Sequence, residues 1–165
     1  MHGFDGSVLM GLRENILRDP VSDLAYRSLL TIDADIPVHR ALSMLRDAKI
    51  GCAVITDDAG KPRAQFTEKH LVAMLGTGNG SLDDPVEKHM SAEFCMVTGH
   101  DTVAQVIGMM QTRRQRWIIV VDDDGKAVAI TGLRGAVEYI VDHFPRQVKV
   151  EPIGTKLATD QREGA

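Results

Sequence analysis

The chain has 165 residues, 44% of them hydrophobic and 25% charged, with a net charge of −4. These values sit near globular averages, which excludes disordered, collagen-like and coiled-coil classes, and the negative balance argues against bulk attraction to nucleic acid or an anionic membrane. Cys52 and Cys95 stand alone, Met1 to Asp5 carries no basic-then-apolar leader, and no apolar run approaches the ~18 residues of a membrane span. A soluble cytoplasmic protein is expected, without disulfides, structural zinc or membrane insertion.

In chain order, residues 1–18 read as an N-terminal helical segment, with Val8, Leu9, Leu12 and Ile16 on one face. A first unit spans 19–76, a linker with Gly76-Thr77-Gly78-Asn79-Gly80-Ser81 at its heart covers 77–83, a second unit spans 84–144, and a polar tail covers 145–165. Each unit opens with a short apolar run suited to a strand: Leu29–Ile32 in the first, Phe94–Val97 in the second. Helical periodicity follows at Val38, Ala41, Leu42 and Leu45, and at Val103, Val106, Ile107 and Met110. Asp35 and Asp101 stand near those helix starts as candidate caps. Cys52–Thr56 and Trp117–Val121 are near-continuous apolar runs, as expected of strands covered on both faces. The Asp57-Asp58-Ala59-Gly60 and Asp122-Asp123-Asp124-Gly125 turns lead each into a second strand of a hairpin. Closing helices are expected over about Glu68–Leu75 and Leu133–His143.

The two units are copies at one offset of 65 residues, needing no gap. Asp19-Pro20-Val21 returns as Asp84-Pro85-Val86, Val38 as Val103, Met44 as Met109, Gly60-Lys61 as Gly125-Lys126, and Val72 as Val137. Neither copy is long enough to bury a good core alone, so one pseudo-symmetric α/β (α+β) globule of two β-α-β-β-α repeats plus an N-terminal helix is expected.

This order, the strand Ile50-Gly51-Cys52-Ala53-Val54-Ile55-Thr56-Asp57, the Asp-Asp-x-Gly turns and the strand-to-helix passage Phe66-Thr67-Glu68-Lys69-His70 resemble the tandem CBS domain pair, or Bateman module. The resemblance covers about Asp19 to Phe144. It implies adenine-nucleotide binding between the copies (AMP, ADP or ATP, with no certain cofactor), regulation of a separate protein, and homodimerisation through the CBS helices. The family's strand-to-helix turn reads Gly-x-x-(Ser/Thr)-x-x-Asp, its Asp holding ribose hydroxyls. Here those positions fall on Ala64, Thr67 and His70, and on Ala129, Gly132 and Gly135, so both Asp positions are replaced. Neutral His accepts through one nitrogen and Gly has no side chain.

Candidate ligand residues follow. Thr67, Lys69 and His70 lie at a helix start, where free N–H groups favour an anion; the alternative is a cap and a surface histidine. Arg114 and Arg116, with Arg113, precede Trp117, offering a phosphate clamp and a stacking surface. The alternative is a helix C-terminus favoured by its dipole, with Trp117 in the core. Cleft-lining Gly51, Cys52, Ala53 and Arg134 complete the set. Between the two sites, the sequence favours the first.

Six histidines show no ligand spacing, and GxxxxGK, GxSxG and paired catalytic carboxylates are absent. An enzyme is therefore not expected. The reading is a stand-alone regulatory module that senses a small adenosyl ligand and acts on an unidentified partner; the alternative is a degenerate, ligand-free scaffold for protein contacts or oligomerisation.

Overall fold

Local structure comes from short apolar runs punctuated by Asp-Gly turns; the fold comes from where each run finds its partners. A computed structural model describes residues 6–143. Its elements are α1 (Gly6–Arg18), β1 (Arg27–Ser28), α2 (Val38–Ala48), β2 (Cys52–Thr56), β3 (Pro62–Thr67), α3 (Glu68–Thr77), β4 (Met96–Thr98), α4 (Val103–Arg113), β5 (Trp117–Val121), β6 (Ala127–Gly132) and α5 (Leu133–His143). This is the repeated α/β unit read from the sequence, with helix α1 in front. The side chains of Val8 and Leu9, and the tail 145–165, lie outside the described residues.

The hairpins keep the 65-residue offset down to single pairs. In β2–β3, Cys52 faces Thr67 and Ala53 faces Phe66; in β5–β6, Trp117 faces Gly132 and Ile118 faces Thr131. Each hairpin shifts register at the same place, between Ile55 and Thr56 and between Val120 and Val121. The turns are built alike: one oxygen of Asp57 accepts from the N–H of Ala59 and of Lys61 (2.9 Å each), while Asp122 serves Asp124 (3.0 Å) and Lys126 (2.9 Å).

The expected opening strands are displaced. Leu29–Ile32 forms no continuous strand, because the stretch is divided between the copies. Arg27 and Ser28 pair antiparallel with β6 of the second copy, and Thr31 then makes one parallel bridge to Val54 of the first. In the second copy the strand starts at Met96 and runs parallel to β5. The expected caps also move. Pro37 and Thr102 are the N-cap residues of α2 and α4, not Asp35 and Asp101. Thr102 accepts from the Gln105 N–H at 3.3 Å while Gln105 Oε1 accepts the Thr102 N–H at 2.6 Å, a reciprocal box. Asp101 instead accepts from the N–H and hydroxyl of Thr98, closing the preceding turn.

The repeated Asp-Pro-Val segments interlock the halves. The Asp19 carbonyl accepts from the N–H of Val103 (3.0 Å), which begins α4 of the second copy, and the Val21 N–H donates to Asp101 O. Reciprocally, Asp84 O accepts from the N–H of Val38 (2.9 Å) at the start of α2, and the Val86 N–H donates to Ile36 O. Each copy thus satisfies amides at the helix start of the other.

Burial follows the same division. One core holds Val38, Ala41, Leu45, Phe66 and Met74, and a second holds Val21, Val103, Val106, Ile118 and Tyr139, with Leu12 and Ile16 of α1 packed against it. A third cluster of Cys52, Val54, Ile119, Val121 and Ile130 joins the two copies. No helix among the described residues is long and apolar enough to cross a membrane.

Candidate functional site

The two copies are similar in backbone and opposite in how they fill the strand-to-helix turn. In the first, Phe66 is fully buried and stacks on His70, with ring centroids 6.1 Å apart. His70 Nδ1 accepts from the Thr67 N–H at 3.0 Å and lies 3.2 Å from the Thr67 hydroxyl, so the ring proton belongs on Nε2. Burial, and secondarily Lys69, hold the imidazole below its ordinary pKa, favouring the neutral ring that this bond requires. Glu68 folds over Gly51: a Cβ there would lie 2.8 Å from its carboxyl carbon.

In the second copy Thr131 stands where the first has Phe66, and Gly135 where it has His70. The two rings are replaced by a hydroxyl and a hydrogen. Backbone moves into part of that space, since a Cβ on Gly135 would come within 2.8 Å of the Ala25 carbonyl oxygen. Gly132 is required by an approach closer still, its Cβ position lying 2.1 Å from the Arg116 carbonyl oxygen. Beside these contacts opens a cleft of about 410 Å³, lined by Ala25, Arg27, Arg116, Trp117, Thr131 to Gly135, Val137 and Glu138. Thr131 is 2% exposed, and its Oγ1, set against the Gly135 backbone, is buried without a hydrogen-bond partner among the described residues.

A neighbouring cleft of about 390 Å³ brings Thr67, Lys69, Arg114, Arg116 and Trp117 together. Arg116 and Trp117 border both clefts, and Arg134 borders the second-copy cleft only. Gly51 meets Arg116 and Trp117 at a shallower depression. Cys52 and Ala53 are fully buried in strand β2, and burial pushes the Cys52 thiol up to about 12, leaving it protonated. Arg114 adopts a left-handed backbone (φ 51°), as does its mate Lys49 (φ 54°), ending helices α4 and α2 alike. No cluster of three or more metal-ligating side chains occurs among the described residues.

Sequence reasoning overlooked Ala25, Arg27, Thr131 and Glu138. Arg27 reaches the cleft because β1 crosses to β6, a pairing with no local signature. The size difference between Phe66 and Thr131, like that between His70 and Gly135, was visible in the aligned copies and marks the turn that holds no ring.

Comparison with known proteins agrees with this architecture. The CBS domain model matches residues 21–76 and 86–142, so the chain belongs to the CBS-domain family and carries a CBS pair. A 17.7 kDa uncharacterised protein of Acidianus ambivalens is 22% identical over 122 residues, covering 74% of this chain and 73% of that protein. A CBS domain protein of Pyrobaculum aerophilum, solved in complex with AMP, superposes with a TM-score of 0.63 at 20% identity, covering 70% of this chain and 88% of that one. The CBS domain pair of another protein, solved with 5′-methylthioadenosine and S-adenosyl-L-methionine, gives a TM-score of 0.65 at 20% identity, covering 74% and 95% of the two chains.

Proposed function

We propose that this CBS pair is a cytoplasmic regulatory module, not an enzyme, that takes an adenosyl ligand in the second-copy cleft and alters contacts with a separate protein. The observation that carries this is the cleft itself. Trp117 offers a planar surface, Thr131 lines the wall, and Arg27, Arg116 and Arg134 border it together with Glu138. The first copy's residues Thr67 and Lys69, with Arg114, form the secondary candidate, because Phe66 and His70 already fill its turn. The bound AMP and S-adenosylmethionine of the two related structures support the ligand class. Val72 and Leu75 on α3 and Val137 and Val141 on α5 leave apolar side chains exposed, which supports homodimerisation through the CBS helices.

Trp117 is the single tryptophan and borders both clefts, so its fluorescence reports on either, and a variant at Thr131 tells them apart. Titration with AMP, ADP, ATP, 5′-methylthioadenosine and S-adenosylmethionine is expected to change that emission and to raise Tm at millimolar ligand. Thr131→Phe, which restores the first copy's bulk, is expected to abolish the response. No shift with any compound favours the ligand-free scaffold, a reading to which the replacement of both family Asp positions by His70 and Gly135 lends weight.

A further inference from the structure

The second-copy cleft is rich in donors and poor in acceptors. Among the described residues three guanidinium groups border it, and the one side-chain carboxylate there, Glu138, is already engaged. Arg27 Nη2 donates to Glu138 Oε1 at 2.9 Å, and Arg134 Nε donates to the same oxygen at 2.8 Å. Arg134 and Glu138 lie one turn apart on α5, whereas Arg27 arrives on β1 from the other copy. Among the described residues Glu138 is therefore the only acidic side chain bordering the cleft, and it neutralises two of the three cations found there. Arg116 makes no ion pair among the described residues.

Resting on the adenosyl reading above, we propose that Glu138 is a built-in counter-ion occupying the cleft's anion position, so that a ligand is admitted by its phosphate charge. A phosphorylated adenine compound displaces Glu138 from Arg27 and Arg134 and takes over their donors, with Arg116 added. A neutral adenosyl compound has nothing to exchange for the carboxylate and leaves the pair closed. The three guanidinium groups and Glu138 border a formed cleft of about 410 Å³, beside Trp117, rather than open surface. Glu138 is thus the residue that selects between phosphorylated and neutral adenosyl ligands. Its release also unties β1 from α5, whose outer face carries the exposed Val137 and Val141.

The test titrates Trp117 fluorescence of the full chain with AMP, adenosine and inorganic pyrophosphate, in wild type, Glu138→Gln and Glu138→Ala. Both variants are expected to bind AMP and pyrophosphate about three- to fivefold more tightly, the scale of a partly exposed ion pair, while adenosine is unchanged. Weaker AMP binding by the variants would mean that Glu138 holds the ligand itself and overturns the proposal, as does unchanged AMP affinity or an equal gain for adenosine. Tighter pyrophosphate binding with no response to any adenine compound keeps the proposal and removes the adenosyl reading. No binding of AMP or pyrophosphate to any of the three proteins removes both. Urea midpoints of the variants, read alongside, show that each is folded.

Discussion

The two copies carry the same hairpin, the same register shift and the same Asp turn, yet one packs two rings behind its strand-to-helix turn, beside a cleft of about 390 Å³, and the other packs a hydroxyl and backbone there, beside a cleft of about 410 Å³. The difference rests on two positions. Phe66 and His70 form a stacked pair in the first copy; Thr131 and Gly135 stand in their places in the second. The repeat supplies a scaffold with two equivalent openings of nearly equal volume, and the side chains decide what lines each. Packing density explains the response: in an interior filled to crystal-like density the loss of two rings draws backbone close, as at Gly132 and Gly135.

The largest effect that tests this comparison is at Phe66. Phe66→Ala is expected to cost about 3–5 kcal/mol of stability, since the ring is fully buried and its removal opens a cavity in the first core. Urea unfolding measures it; a loss below about 1 kcal/mol, the scale of a relaxed site, would mean that the first turn is not held by its ring.

Thr131→Val sharpens the other side of the comparison. Valine keeps the shape and removes a hydroxyl with no partner, so the unliganded protein is expected to gain about 1 kcal/mol in urea unfolding with an unchanged m-value. A fall in stability would show that the hydroxyl is satisfied in the free protein.

The smallest effect is a pH dependence confined to the first copy. His70 must be neutral to accept the Thr67 N–H, and burial lowers its pKa below 6.5 in the folded chain. The unfolded chain therefore binds the proton more readily. The stabilisation is complete above about pH 6.5 and is lost as pH falls through the lower folded value. Urea midpoints between pH 7.5 and 5.5 are expected to fall more steeply in wild type than in His70→Gln, whose amide retains an acceptor without titrating. Parallel slopes would remove His70 from the account.

Much of this was legible because it is local. The runs Cys52–Thr56 and Trp117–Val121, the Asp turns and the closing helices depend on residues within a few positions, and all form nearly where periodicity puts them. What escaped is non-local. The bond from Arg27 to Glu138 spans 111 residues, and the pairing of β1 with β6 depends on a crossing between copies. The caps escaped for a different reason. Asp35 and Asp101 are good caps by type, but Asp101 is drawn to Thr98 and the neighbouring Thr102 takes the helix end. Trp117 showed both faces of its sequence reading: half-buried against the central cluster, it also borders the clefts.

The reciprocal bonds of the two Asp-Pro-Val segments also set a timetable. As the chain emerges from the ribosome, α2 is complete in sequence by Ala48, but the carbonyl that receives its first amide belongs to Asp84. The first repeat waits, unfinished, for the opening residues of the second. The second, in turn, starts α4 on a carbonyl, that of Asp19, made long before it. Synthesis is sequential, whereas the bonding is mutual: the amides that open α2 and α4 find these acceptors only when both copies are present.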